Sequence, residues 1–102
     1  MNNMIYNMVD SGDWALGINL YGSSKAVGIY NNTLYKLTNT GADEAAGIRT
    51  VDSDHLLKNN LVMTVSGGVC YWNDGGRDTN SDFNIASDTT ANSVFGSNSV
   101  NS

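Results

Sequence analysis

Short runs in which every second residue is hydrophobic recur along this chain, each closed by Gly, Asn, Asp or Ser. In DWALGINLY, Trp14, Leu16, Ile18 and Leu20 alternate with Ala15, Gly17 and Asn19, the period of a half-buried strand with one apolar face. AVGIY, ending at Asn31 and Asn32, and TLYKL, ending in TNTG at 38–41, read as two short strands joined by a tight turn. AAGIRTV at 45–51 reads as a strand with Ile48 and Val51 facing inwards and a bulge at Gly47. In DSDHLLKNN, Asp52 or Ser53 can cap a helix, which predicts one or two helical turns ending at Asn59 and Asn60. LVMTV alternates through Leu61, Met63 and Val65, SGG turns the chain and VCYW follows, so 61–72 reads as a β-hairpin. NDGGRDTNSD at 73–82 is a surface loop. Beyond it, Phe83, Ile85, Ala86, Val94, Phe95 and Val100 are too many apolar residues for the last segment to stay wholly unpacked.

These elements predict a mainly β fold with short helical turns, in one small domain that lacks the long helices of a parallel α/β sheet. With 102 residues the chain holds one core, and a domain of that size gains from a staple or a partner subunit. The single Cys70 permits no intramolecular disulfide, and within VCYW it reads as a small buried side chain. Ten acidic residues against five basic ones give a formal charge of -5. The cations Lys25, Lys36, Arg49, Lys58 and Arg77 are scattered rather than clustered, a pattern that argues against a nucleic-acid partner. No apolar run approaches the ~20 residues of a membrane span, and the N-terminus lacks the pattern of a secretion signal. The expectation is a soluble protein made in a cytoplasm, with no membrane partner.

Candidate chemistry is sparse. DSDH sets Asp52 and Asp54 beside His55, the only histidine, but helix capping explains the carboxylates and the ligand count for zinc falls short. DTNSD puts Asp78, Asn80 and Asp82 at the first, third and fifth positions of a calcium loop, yet Phe83 stands where glycine is required and Thr89 where a bidentate glutamate is. No serine lies in a nucleophile-elbow setting, and Cys70 has only His55 as a conceivable base. The expectation is therefore no catalytic residue, no metal and no cofactor. Trp14, Tyr21, Tyr71 and Trp72 could form a sugar-binding platform, but their places in or beside strand patterns favour core positions.

The stretch from Leu34 to Asp74 resembles the central part of the head decoration proteins of phage lambda and its relatives, with the same order of apolar strand, Gly/Asp/Thr turn, Ala-Gly-Ile strand, Ser-Gly turn and aromatic strand. ASDTTANSVFGSNSV resembles that family's closing segment through Ala86, Ser87, Asp88, Phe95 and Gly96. The Pro-rich N-terminal region of the family has no counterpart, since this chain has no proline. The resemblance implies a homotrimer on the outside of a virion head, made in a bacterial cytoplasm, that binds the major capsid protein at threefold positions and stabilises the shell against DNA pressure. It implies that residues 1–13 are a capsid-contacting arm or first strand, with Met4, Ile5, Tyr6, Met8 and Val9 as contacts, and that 14–102 are the decoration domain. Gly41, Ala42, Ala45, Ala46 and Gly47 would then form a close-packing turn at the trimer contact, or else a tight turn and bulge within one subunit. The alternative is a β-rich fibre or lectin-like module that binds glycans, with or without calcium.

Overall fold

The computed structural model describes residues 2–21, 27–51, 54–75, 80–91, 96 and 98–101. Among these residues ten short strands run in chain order: β1 (Met4–Asp10), β2 (Ala15–Leu20), β3 (Gly28–Tyr30), β4 (Thr33–Asn39), β5 (Ala45–Thr50), β6 (Leu56–Lys58), β7 (Leu61–Ser66), β8 (Gly68–Asn73), β9 (Ile85–Ala86) and β10 (Val100–Asn101). No strand pairs with its sequence neighbour until β9 meets β10. The sheets are instead ordered β1-β4-β7-β9-β10, β2-β5-β8 and β3-β6, and every pairing is parallel. The chain therefore winds as a β-solenoid, the first two coils each laying one strand on each of three faces and the third laying strands on two. The isolated bridge between Lys58 and Asp82 continues the third face by one more rung.

The mainly β expectation holds and most strands fall where alternation puts them, but their pairing differs. The 61–72 segment is not a hairpin: β7 pairs with β4 and β9, and β8 pairs with β5. SGG is a corner between two faces, and Asn31–Asn32 is another. The predicted helical turn at 52–60 is also absent among the described residues, because Leu56–Lys58 is a strand paired to β3. There is no bulge at Gly47, since the registers Leu16↔Ala46↔Val69 and Ile18↔Ile48↔Tyr71 run without a slip.

Two columns of left-handed residues bend the coil. Asn31, Asn59 and Phe83 have φ of 55°, 56° and 56°, and each stands two residues before a strand of the first sheet. Asn7, Lys36 and Thr64, at 56°, 59° and 56°, kink β1, β4 and β7 at one shared register. Asparagine suits this region because its short side chain bonds locally.

Next to the first column runs an internal ladder of asparagine amides. Asn3 Nδ2 donates to Asn32 Oδ1 at 2.8 Å, Asn32 Nδ2 to Asn60 Oδ1 at 3.0 Å, and Asn60 Nδ2 to Asn84 Oδ1 at 3.0 Å. Asn84 Nδ2 ends it on the Leu57 carbonyl at 2.9 Å. Asn32, Asn60 and Asn84 are buried, so the ladder satisfies polar groups that would otherwise be costly inside a core.

Around the ladder, Leu34, Leu37, Ile48, Leu57, Val62 and Tyr71 form the core. The core is thin where the first two faces meet. A Cβ on Gly47 would overlap Val62 Cγ1 and come within 2.7 Å of the Cys70 carbonyl oxygen, and one on Gly17 would overlap Leu34 Cδ2. The small residues at 45–47 thus serve close approach of two sheets within one chain. Part of the last segment packs as expected, with Ala86, Ala91 and Ser99 buried.

Candidate functional site

The outer surface of the β2-β5-β8 sheet carries the densest group of functional side chains. Register places Arg49 directly over Trp72, while Trp14 precedes β2 and Tyr21 follows it. The Arg49 guanidinium carbon lies 5.1 Å from the Trp14 ring centre, 5.0 Å from that of Trp72 and 5.9 Å from that of Tyr21. The two indoles sit 5.2 Å apart, tilted by 42°. Each such contact is worth roughly 0.5–2 kcal/mol, depending on desolvation.

Asp74 fixes the group from the strand end. Its Oδ2 accepts from Arg49 Nη2 at 2.7 Å and Nε at 3.1 Å, and its Oδ1 accepts from Trp72 Nε1 at 2.5 Å. The result is a pre-set, charge-balanced cluster of three aromatic rings in which Trp14 remains 40% and Tyr21 71% exposed. Rings left open beside a fixed ion pair can stack against a flat apolar face while the pair hydrogen-bonds to hydroxyls.

Of the four platform candidates, only Tyr71 is a core residue. Its one hydroxyl proton is shared between the Asn60 carbonyl at 2.8 Å and the Ile85 carbonyl at 3.1 Å, and burial pushes its pKa well up. Trp14, Tyr21 and Trp72 lie at the surface, contrary to the expectation of core positions. Arg49 and Asp74 have no signal in the linear sequence, because each gains its meaning from the rung above or below.

The other expected sites are dispersed. Ile5 and Met8 of the proposed arm turn towards the core, while Met4, Tyr6 and Val9 are exposed on β1. Met4 and Tyr6 join Tyr35, Leu61 and Met63 around an apolar groove of about 320 Å³. Ala45, Ala46 and Gly47 are buried, Ala42 is exposed in the preceding loop, and Gly41 lies against the backbone of Ser11 and Gly12.

His55 is buried and accepts the Val27 N–H at Nδ1. Asp54 is exposed, and Asp52 lies outside the described residues, as do Asp78 and Phe95. Both carboxylate oxygens of Asp82 accept hydrogen bonds from Asn98, which hold its pKa below the usual carboxylate value. Burial pushes the Cys70 thiol up, the opposite of an activated nucleophile. Among the described residues no three His, Cys, Asp or Glu side chains come together.

Fold and surface together define a β-solenoid with an aromatic patch on one face. The chain belongs to the disaggregatase-related family, whose model matches residues 1–85. No curated protein and no solved structure matches. The family match lends no support to the decoration-protein resemblance.

Proposed function

We propose that the chain binds carbohydrate on the outer face of the β2-β5-β8 sheet. The observation that carries this reading is the gathering of Trp14, Tyr21 and the half-buried Trp72 around the Arg49–Asp74 pair, with the Trp14 and Tyr21 rings left open. Sugar rings present apolar C–H faces edged by hydroxyls, and a few placed polar groups beside apolar walls are what such recognition needs. Stacking alone does not account for the exposure, since burial of the rings would strengthen the cation–π contacts. The reading is recognition rather than cleavage. Glycoside hydrolysis uses two carboxyl groups across the scissile bond, and among the described residues this cluster holds one, Asp74, already bound to Arg49 and Trp72.

Titration of neutral and acidic polysaccharides against the protein, read by tryptophan fluorescence and amide chemical shifts, tests the reading. Binding that perturbs residues around Arg49 and is lost in Trp14→Ala and Trp72→Ala supports it. Absence of any response across a broad polysaccharide panel at millimolar sugar rejects it. The alternative is capsid decoration with Met4, Tyr6 and Val9 as the contact stripe, favoured by their exposure of 72%, 61% and 72%; co-sedimentation with expanded heads tests that reading.

A further inference from the structure

The two ends of the solenoid differ. At the C-terminal end, side chains stand where the carbonyls of another coil would lie: Asp88 Oδ2 accepts the Cys70 N–H at 2.7 Å, Thr90 Oγ1 the Tyr71 N–H at 3.0 Å, and Ser99 Oγ the Asn84 N–H at 3.0 Å. The first sheet tapers to a two-residue strand there, and Ala86 and Ala91 seal the core.

The N-terminal end is built like an interior coil but is left open. Among the described residues β1, β2 and β3 each pair on one side only. Ile5, Met8 and Ile18 stand in the columns of Leu34, Leu37 and Ile48, yet they remain half-buried where the latter are fully buried. A cavity of about 260 Å³ opens at this end, lined by Asn3, Ile18, Leu20, Val27, Ile29 and Asn32 among others. The amide ladder also has a direction. Asn3, Asn32 and Asn60 each give both their backbone N–H and Nδ2 to Oδ1 of the next rung. Asn3 Oδ1 is therefore the ladder acceptor that receives no bond among the described residues.

We propose that this N-terminal face is a coil-stacking surface, and that its occupant is one further parallel coil of solenoid polypeptide that carries an asparagine onto the ladder above Asn3. Such a coil brings N–H donors to Asn3 Oδ1, pairs three free edges that are otherwise open to aggregation, and covers Ile5, Met8, Ile18 and Leu20. A second copy fits less well. Face to face, it sets one Asn3 Oδ1 acceptor against another. Head to tail, it meets Asp88, Thr90 and Ser99 already filling the positions a coil would use.

The test joins a copy of residues 32–59 directly to Asn3 and follows amide exchange in β1 and β2. The expected result is slowing of the edge amides by at least about tenfold, independent of protein concentration. Asn3→Ala, nearly neutral in the original chain, should then lower the urea midpoint of the extended chain about as much as Asn60→Ala does. Unchanged exchange with the coil attached overturns the proposal. Concentration-dependent protection of the same amides in the unextended chain overturns it in favour of a second copy. Should the extended chain not fold, the same coil is supplied as a separate peptide with the same readout, and absence of protection at millimolar peptide overturns the proposal.

Discussion

Replacement of Asn60 by alanine tests whether the amide ladder holds the coils together. The Asn60 side chain makes four hydrogen bonds: it donates to the Ile29 carbonyl and to Asn84 Oδ1, both at 3.0 Å, and accepts from the Asn32 N–H at 3.1 Å and Asn32 Nδ2 at 3.0 Å. Two of the partners keep a second bond after the substitution. Asn32 Nδ2 retains the Tyr30 carbonyl, and Asn84 Oδ1 retains the Asn60 N–H. The Ile29 carbonyl stays within the β3–β6 pairing, so the Asn32 N–H is the group that loses its bond outright. At roughly 1–3 kcal/mol for a buried group left unpaired, Asn60→Ala should cost about 1–3 kcal/mol, a sizeable part of the ~5–15 kcal/mol that holds a domain folded. Asn3→Ala removes the single side-chain bond of an exposed residue, and Asn32 Oδ1 still accepts the Asn3 N–H at 3.2 Å, so its cost should stay below about 1 kcal/mol. Urea unfolding followed by far-UV circular dichroism and tryptophan fluorescence measures both variants. Equal costs for the two, or a cost under about 1 kcal/mol for Asn60→Ala, would refute the reasoning.

Gly47→Ala should destabilise by about 1–3 kcal/mol in the same assay, because the added methyl overlaps Val62 and nears the Cys70 carbonyl in a core with no slack. Phe83→Asn should raise the urea midpoint, by up to about 1 kcal/mol in stability, since it returns to asparagine a left-handed position whose column mates are Asn31 and Asn59 and whose phenyl ring is largely exposed. For Asp88, burial works to raise the pKa, but hydrogen bonds from Thr90 and Cys70 outweigh it and hold the carboxyl below its ordinary value. A depressed folded-state pKa gives stability that is full above the unfolded pKa of about 3.9 and is lost as pH falls through the folded value. Urea midpoints should therefore drop below about pH 4, and Asp88→Asn should flatten that part of the profile.

Strand positions were readable from alternation because each strand has one inward face, whatever it pairs with. The partner was not readable, since parallel and antiparallel ladders impose the same period of two on one buried face. The coil repeat was present in plain letters: NNMI at 2–5, NNTL at 31–34 and NNLV at 59–62. Asparagine pairs also mark turns and helix ends, so Asn31–Asn32 reads locally as a turn between two strands and Asn59–Asn60 as the end of a helical turn, rather than as rungs recurring once per coil. Reading 52–60 as helix has the same origin, since Asp and Ser before two leucines fit a helix cap and no local letter shows that Leu56–Lys58 pairs with β3. Tyr71 was legible as core, whereas Trp72 was not separable from it, because adjacent residues on a strand point to opposite faces and only the register decides which face is inside.

By itself, the sequence determined a small, strand-rich, proline-free chain with no concentrated basic surface, and it did so through local composition and period. The tertiary structure alone decided that the strands stack in parallel coils, that asparagines separated by about one coil bond to one another, and that Trp14, Tyr21, Arg49, Trp72 and Asp74 meet on one face. The reason is physical: hydrogen bonds between rungs join residues some thirty positions apart, and the winding of the chain, which no local window contains, determines which residues those are.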